Sequence, residues 1–99
     1  MIAVLGTFRF PPDMVPEAEV LMREVIAETL QEPGCLAYAY ARDIGDPGLF
    51  HVTEKWTHRA ALEQHFQTAH MAEWLAARAA LGFYDRQISV YTLVDGDAI

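Results

Sequence analysis

The spacing of apolar residues in the first third of the chain predicts a strand followed by a long helix. Residues 2–10 are rich in β-forming side chains and stop at Pro11-Pro12, which cannot continue a central strand. Apolar residues then recur at helical spacing from Met14 to Leu30. Asp13 is the expected N-cap of this helix, and Pro33-Gly34 ends it.

The next segment alternates between two faces, as a pair of strands does. Residues 36–42 and 49–56 both have a period of two, and the Gly- and Pro-rich loop between them predicts an antiparallel hairpin. On the first of these strands Tyr38, Tyr40 and Arg42 share one face. On the second strand one face carries Phe50, Val52, Glu54 and Trp56. A carboxylate between apolar neighbours needs a partner, so we expect Glu54 to form an ion pair with an Arg or Lys, within the chain or across a dimer. General acid or base chemistry is the alternative.

The last third predicts a broken helix and a closing strand. We expect Thr57 to cap a helix whose inner face holds Leu62, His65, Phe66 and Ala69. Thr68 restarts the helix in a new direction, and the inward residues of that stretch are Met71, Trp74, Leu75 and Leu81. Gly82 ends it, and residues 88–94 form the last strand. The order β-α-β-β-α-β predicts an α+β, ferredoxin-like single domain over residues 1–99.

Composition narrows the functional classes. The net charge is −7 and the isoelectric point about 4.8, with the basic residues scattered singly, which argues against nucleic acid and anionic membranes as partners. A single cysteine and the absence of a signal-like N-terminus favour the cytoplasm. Hydrophobic residues reach 53% of the chain, so we expect the bare face of the sheet to pair with a second copy.

Neither metal nor nucleophilic chemistry is indicated by the spacing of reactive residues. His65 and His70 are roughly 140° apart on an unbroken helix, so we expect no shared metal ion. Cys35 begins a strand rather than a helix, which favours a small buried residue over a nucleophile. Ser89, the one serine, lacks the Gly-x-Ser-x-Gly setting of a hydrolase.

His65 remains as the candidate reactive group, because it lies among apolar residues on the face that meets the sheet. Two interpretations stay open: a core histidine hydrogen-bonded to a neighbour, or a neutral imidazole that accepts a proton from a phenol or enol in a cavity. Trp56 and Trp74 are more typical of core residues than of cavity walls, and the second interpretation stays open.

The motif residues resemble the antibiotic biosynthesis monooxygenase domain family. The resemblance rests on Glu32-Pro33-Gly34-Cys35-Leu36-x-Tyr38, on Phe50-x-x-x-Glu54-x-Trp56 and on Ala61-Leu62-x-x-His65, followed by His70. It implies a homodimer of two ferredoxin-like units joined sheet to sheet into an α+β barrel. Members of this family oxidise quinols or polyketide anthrones with O2 without metal or flavin, while others degrade haem or isomerise a phosphorylated sugar.

The resemblance further implies a cofactor-free reaction on a small aromatic substrate. A base in the cavity deprotonates a phenol or quinol, and the resulting anion reduces O2. His65 is the candidate base, and His70 or Arg42 is expected to stabilise the developing oxyanion. The candidate substrate contacts are Trp56, Phe66, Trp74, Tyr38, Arg42 and Thr7.

Two departures from the family pattern limit this interpretation. Thr7 stands where haem-degrading relatives carry an asparagine, and Val52 stands where anthrone oxygenases favour one. Both differences remove a polar group that orients substrate, which argues against haem degradation and weakens the case for the anthrone reaction. The alternatives are an isomerase that uses His65 as a proton shuttle and a non-catalytic protein that binds an aromatic metabolite.

Overall fold

Four antiparallel strands form one sheet, and three helices pack on one of its faces. The structure, a computed structural model, describes residues 1–99. The strands are β1 (Ile2–Arg9), β2 (Cys35–Arg42), β3 (Leu49–Trp56) and β4 (Tyr84–Thr92), and the helices are α1 (Val15–Thr29), α2 (Arg59–His65) and α3 (Ala69–Ala80). The strand order β2-β3-β1-β4 confirms the ferredoxin-like, α+β prediction.

The core lies between the sheet and the helices, in two adjoining clusters. The larger joins α1 and α3 to the middle of the sheet through residues such as Phe8, Phe50 and Trp74. The smaller joins α2 to the sheet through residues such as Trp56 and Leu62. Alternation in β3 is as predicted, because its even-numbered residues are buried and its odd-numbered residues face outward.

The first helix starts later than expected and lacks the predicted cap. A 3-10 turn at Pro12–Met14 precedes it, and Met14 occupies the N-cap position without a side-chain hydrogen bond. The backbone N–H of Met14 instead donates to the carbonyl of Pro11. The two prolines favour this early turn because their φ is already helical, so Asp13 lies inside the turn and caps nothing.

The second helix also lacks its predicted cap. His58 holds the N-cap position without a side-chain bond, and the Thr57 hydroxyl pairs with the His58 ring. Thr68 does cap α3 as predicted, since its hydroxyl accepts from the N–H of Met71. Phe66, Ala69 and Leu75, expected to point inward, are exposed, because the helix breaks and turns after His65.

The closing strand begins four residues earlier than predicted and ends two residues earlier. It pairs with β1 from Tyr84 opposite Arg9 to Thr92 opposite Ile2. It is an edge strand with mostly exposed side chains, so no hydrophobic alternation marks its beginning. None of the helices is long and apolar enough to span a membrane.

Candidate active site

A small cavity lies between the sheet and the helices α2 and α3. Its volume is about 70 Å³, room for a few water molecules. Apolar side chains from β1, β3, β4 and the helical region around α2 and α3 form most of its wall. Its polar lining consists of Tyr38, Tyr40, Glu54, His65, Arg78 and Arg86.

Glu32 reaches the edge of this region from the turn between α1 and β2. Its N–H donates to the carbonyl of Thr29, and its own carbonyl accepts from the N–H of Cys35. Gly34 makes the turn possible, because its φ is +83° and a β-carbon there would lie 2.7 Å from that of Ala61. The Pro-Gly turn therefore fixes where the Glu32 carboxylate points.

Two histidines share one oxygen of that carboxylate. Nδ1 of His65 and Nε2 of His70 each lie 2.7 Å from Oε2 of Glu32. A carboxylate only accepts, so both ring nitrogens donate to it. On an unbroken helix these two rings would point about 140° apart. The helix is interrupted between them, where the sequence predicted a restart at Thr68, and both rings therefore reach one oxygen. Thr68 turns the chain there by donating to the carbonyl of His65 and capping α3.

The hydrogen bond to Glu32 determines which nitrogen of His65 is basic. The side chain is 1% exposed and lines the cavity. A neutral ring with its proton on Nδ1 leaves Nε2 with a free lone pair. Burial lowers the pKa of His65, although the bond to Glu32 opposes that effect, so the neutral form is favoured at pH 7. The core interpretation is confirmed, since His65 is buried and bonded to Glu32. The residue also lines the cavity, and its action as a base on a phenol or enol stays a prediction.

Glu54 has a different partner from the one predicted. Its Oε1 accepts a 2.9 Å hydrogen bond from Nε1 of Trp56, and it forms no ion pair. Burial raises the pKa of Glu54 to about 7, and the charge of Arg86 only partly offsets this. The carboxyl group therefore exchanges its proton near neutral pH, which makes it a second candidate acid or base.

Two tyrosines and two arginines complete the polar lining. The hydroxyls of Tyr38 and Tyr40 lie 2.6 Å apart, and burial raises the pKa of both, that of Tyr40 to about 12. Arg78 and Arg86 form no salt bridge. Arg78 lies 4.1 Å over the ring of Phe83. Neither arginine was predictable as a site residue from the sequence, because Arg78 lies on a helix and Arg86 on an edge strand, both outside any motif.

The predicted aromatic and histidine site residues lie at different positions in and around the cavity. Phe66 lines the cavity and is 52% exposed, which places it at the opening. Trp56 is fully buried behind His65, with ring centroids 5.0 Å apart. Trp74 stacks on Tyr40 at 6.0 Å and does not line the cavity. His70 lines a neighbouring cavity instead, between α1 and α3.

Two predicted substrate contacts lie outside the cavity. Arg42 is mostly exposed at the end of β2, where its Nε pairs with Glu19 of α1 at 2.8 Å. It therefore cannot stabilise an oxyanion beside His65. Thr7 pairs with His51 across the sheet, on the face opposite to Phe8 and the helices. Its position on the outer face removes it from this cavity.

Cys35 has no reactive setting. Its sulfur is half-buried and lies 3.8 Å from the carbonyl of Ala37. Burial raises the pKa of the thiol, with Glu32 and Glu54 adding to the effect. A raised pKa keeps the nucleophilic thiolate scarce, as expected for a structural cysteine.

Comparison with known proteins identifies the class to which this fold and site belong. The family model for antibiotic biosynthesis monooxygenases matches residues 1–77. The chain belongs to the antibiotic biosynthesis monooxygenase family.

Two solved structures agree with this assignment. The fold matches a Deinococcus radiodurans protein of the same family assignment with a TM-score of 0.93 and 26% identity, covering 100% of this chain and 98% of that one. It also matches a structure described as an antibiotic biosynthesis monooxygenase, with a TM-score of 0.87 and 33% identity, covering 96% and 100%. The Synechocystis protein sll1783 is 31% identical over 95% of this chain, which spans 64% of that relative's length.

Proposed function

We propose that this protein is a cofactor-independent monooxygenase that oxidises a quinol or a polycyclic, anthrone-like phenol with O2. The observation that carries the proposal is the arrangement of Glu32 and His65. The carboxylate holds Nδ1–H of His65 at 2.7 Å, which leaves Nε2 as the free acceptor of the ring, and His65 lines a cavity with mostly apolar walls.

The first chemical step is the transfer of a proton from substrate to His65. Nε2 takes the proton of a phenolic hydroxyl, and the resulting imidazolium is stabilised by the Glu32 carboxylate on its other side. Arg78 and Arg86 supply positive charge to the phenolate at the cavity wall. The apolar surroundings keep water away from the anion.

The second step is the reaction of the anion with oxygen. One electron passes from the phenolate to O2, and the carbon radical then combines with superoxide to give a peroxide. His65 returns its proton to the outer peroxide oxygen, the O–O bond breaks as the carbon loses its own proton, and water leaves. One oxygen atom stays on the product as a carbonyl and the other becomes water, so no external reductant is needed.

Substrate entry requires the cavity to widen. A volume of about 70 Å³ holds a few water molecules but not a fused aromatic ring. Phe66 is the residue placed to move, since it is half-exposed at the break between α2 and α3. Its ring then covers one face of the bound substrate.

We further propose that the protein works in the cytoplasm as a homodimer. Leu5 and Tyr91 are about half exposed on the sheet face away from the helices. Between β2 and β3 that face offers small side chains such as Ala39. Burying such a face against a second copy removes apolar surface from water.

Oxygen uptake with reduced 1,4-naphthoquinol tests the catalytic proposal. After subtraction of the rate without protein, the wild type is expected to consume O2, and His65→Gln to be slower by roughly 10²- to 10⁴-fold. Glutamine retains a donor for Glu32 but has no basic nitrogen. The matched control is His51→Gln, since His51 is exposed and also pairs with a carboxylate, Asp43.

Other outcomes select the alternatives. No uptake, together with exchange of substrate C–H protons for deuterium, favours the isomerase. Neither reaction, together with saturable quenching of tryptophan fluorescence by the oxidised naphthoquinone, favours a non-catalytic binding protein. Equal uptake by wild type and His65→Gln contradicts the role given to His65.

A further inference from the structure

Three side chains from three separate elements converge at the junction of α1, α2 and α3. Glu32 comes from the turn after α1, His65 from the last turn of α2 and His70 from the first turn of α3. Their nearest nitrogen and oxygen atoms all lie within 4.8 Å of one another. We propose that Glu32, His65 and His70 form a binding site for a divalent transition-metal ion such as Zn²⁺.

The ligand set suits this class of ion. Two imidazole nitrogens and one carboxylate oxygen form a known three-residue zinc set that leaves a fourth position for water. Tetrahedral zinc with bonds of about 2.0–2.1 Å keeps its ligand atoms roughly 3.3 Å apart. The two contacts of 2.7 Å on Oε2 therefore widen by a few tenths of an ångström on metal binding. Rotation of the Glu32 side chain in its turn provides that change.

A second carboxylate already supports one of the ligands. Nδ1 of His70, the nitrogen opposite to the proposed metal, lies 3.3 Å from Oε2 of Glu28. Histidines that bind metals usually donate their other N–H to a carboxylate, which fixes the tautomer. Glu28 is placed for this role. A hydrogen bond between His70 and Glu32 alone would not require a second carboxylate beside Nδ1 of His70.

An acidic cavity gives access to the site from solvent. It measures about 110 Å³, lies between α1 and α3, and contains His70 in its wall. Three carboxylates, those of Glu24, Glu28 and Glu73, line it, and no Lys or Arg does. Such a cavity attracts cations towards His70.

Metal binding and base catalysis use opposite nitrogens of His65. A ring that binds metal through Nδ1 carries its remaining proton on Nε2, which turns that atom from an acceptor into a donor. Bound metal is therefore expected to inhibit the oxygenation. This consequence rests on the proposed function, whereas the metal site itself does not.

Calorimetric titration of the untagged 99-residue chain with Zn²⁺ tests the site directly. We expect one ion per chain in the wild type, with Co²⁺ giving the visible absorption of a nitrogen- and oxygen-coordinated ion. His70→Ala is expected to weaken Zn²⁺ binding by at least about 100-fold, and Glu28→Gln by roughly 10- to 100-fold. His51→Ala is the matched control, because His51 and Asp43 form an exposed pair without a third ligand, and its affinity should equal that of the wild type.

Two results would overturn the proposal: a wild type that fails to bind one equivalent of Zn²⁺, or a His70→Ala variant that is folded by circular dichroism and binds as tightly as the wild type. These binding measurements do not depend on turnover. A lack of naphthoquinol oxidation alone contradicts the proposed function and leaves the metal site supported by its own titration.

Discussion

The carboxyl group of Glu54 is held in an environment that favours its neutral form. Its side chain lies on the buried face of β3, and its hydrogen-bond partner, Trp56, is uncharged. Burial raises its pKa to about 7 from an ordinary value of 4.5. Because the folded state binds this proton more tightly than the unfolded state, the group favours folding below pH 4.5, and the benefit is lost as pH rises through 7.

Glu54→Gln is expected to remove this dependence on pH. Glutamine still accepts from Trp56 but cannot ionise. The free energy of unfolding of the variant, relative to the wild type, should rise between pH 4.5 and pH 8 by up to about 3 kcal/mol, which corresponds to the gap between the two pKa values. Urea unfolding at both pH values and one protein concentration measures it. If the free energies of unfolding of the two proteins differ by the same amount at both pH values, the prediction is contradicted. The control is Glu63→Gln, on the exposed face of α2.

For individual residues, the sequence predicts which side chains are buried better than it predicts which groups they contact. Alternation along β3 placed Glu54 on the inner face, and helical spacing placed His65 against the sheet. The predicted ion pair of Glu54 is absent within the chain. Its carboxyl group instead accepts a hydrogen bond from the indole N–H of Trp56, two residues away. The change of helix direction at Thr68 was predicted, but residue spacing does not show that it brings His65 and His70 to the same carboxylate of Glu32.

The break between α2 and α3 is the element that builds the candidate site. It brings His70 back towards Glu32, and it leaves Phe66 at the opening of the cavity. The Thr68 hydroxyl stabilises the break with two hydrogen bonds. It donates to the carbonyl of His65 and accepts from the N–H of Met71.

Thr68→Ala is expected to destabilise the protein by about 1 kcal/mol, because α3 loses its cap. Thr57→Ala is the matched control. Thr57 stands at the start of α2 but caps no backbone N–H, so its loss should cost less than about 0.5 kcal/mol. Chemical unfolding of the three proteins checks both values, and equal losses would show that Thr68 is not a cap.

Whether a segment forms a helix or a strand was predictable where the hydrophobic periodicity is strong, as in α1 and β3. The first and last residues of the helices and strands were not predictable. The 3-10 turn before α1 follows from two prolines in a row, a local effect that outweighs the preference of Asp13 for a cap. The start of β4 follows from its pairing with β1, which is a long-range contact.

At the scale of the whole molecule, the outer face of the sheet is the surface that the proposed dimer buries. Leu5→Lys places a charge at the middle strand of that face and is expected to give a monomer at micromolar concentration by sedimentation velocity. Leu75→Lys is the control, because Leu75 is 44% exposed on α3 and Leu5 is 46% exposed. A monomeric wild type, or dissociation of both variants alike, would contradict the proposed interface.

We propose that the cavity directs an oxygen atom from O2 into an aromatic substrate through His65. Mass spectrometry of the product formed from 1,4-naphthoquinol under ¹⁸O2 shows whether this transfer occurs. We expect a hydroxylated naphthoquinone that carries one ¹⁸O atom, formed by the wild type and by His51→Gln but greatly reduced in His65→Gln. Unlabelled naphthoquinone with hydrogen peroxide as the only enzymatic products, or label incorporation unaffected by His65→Gln, would contradict it.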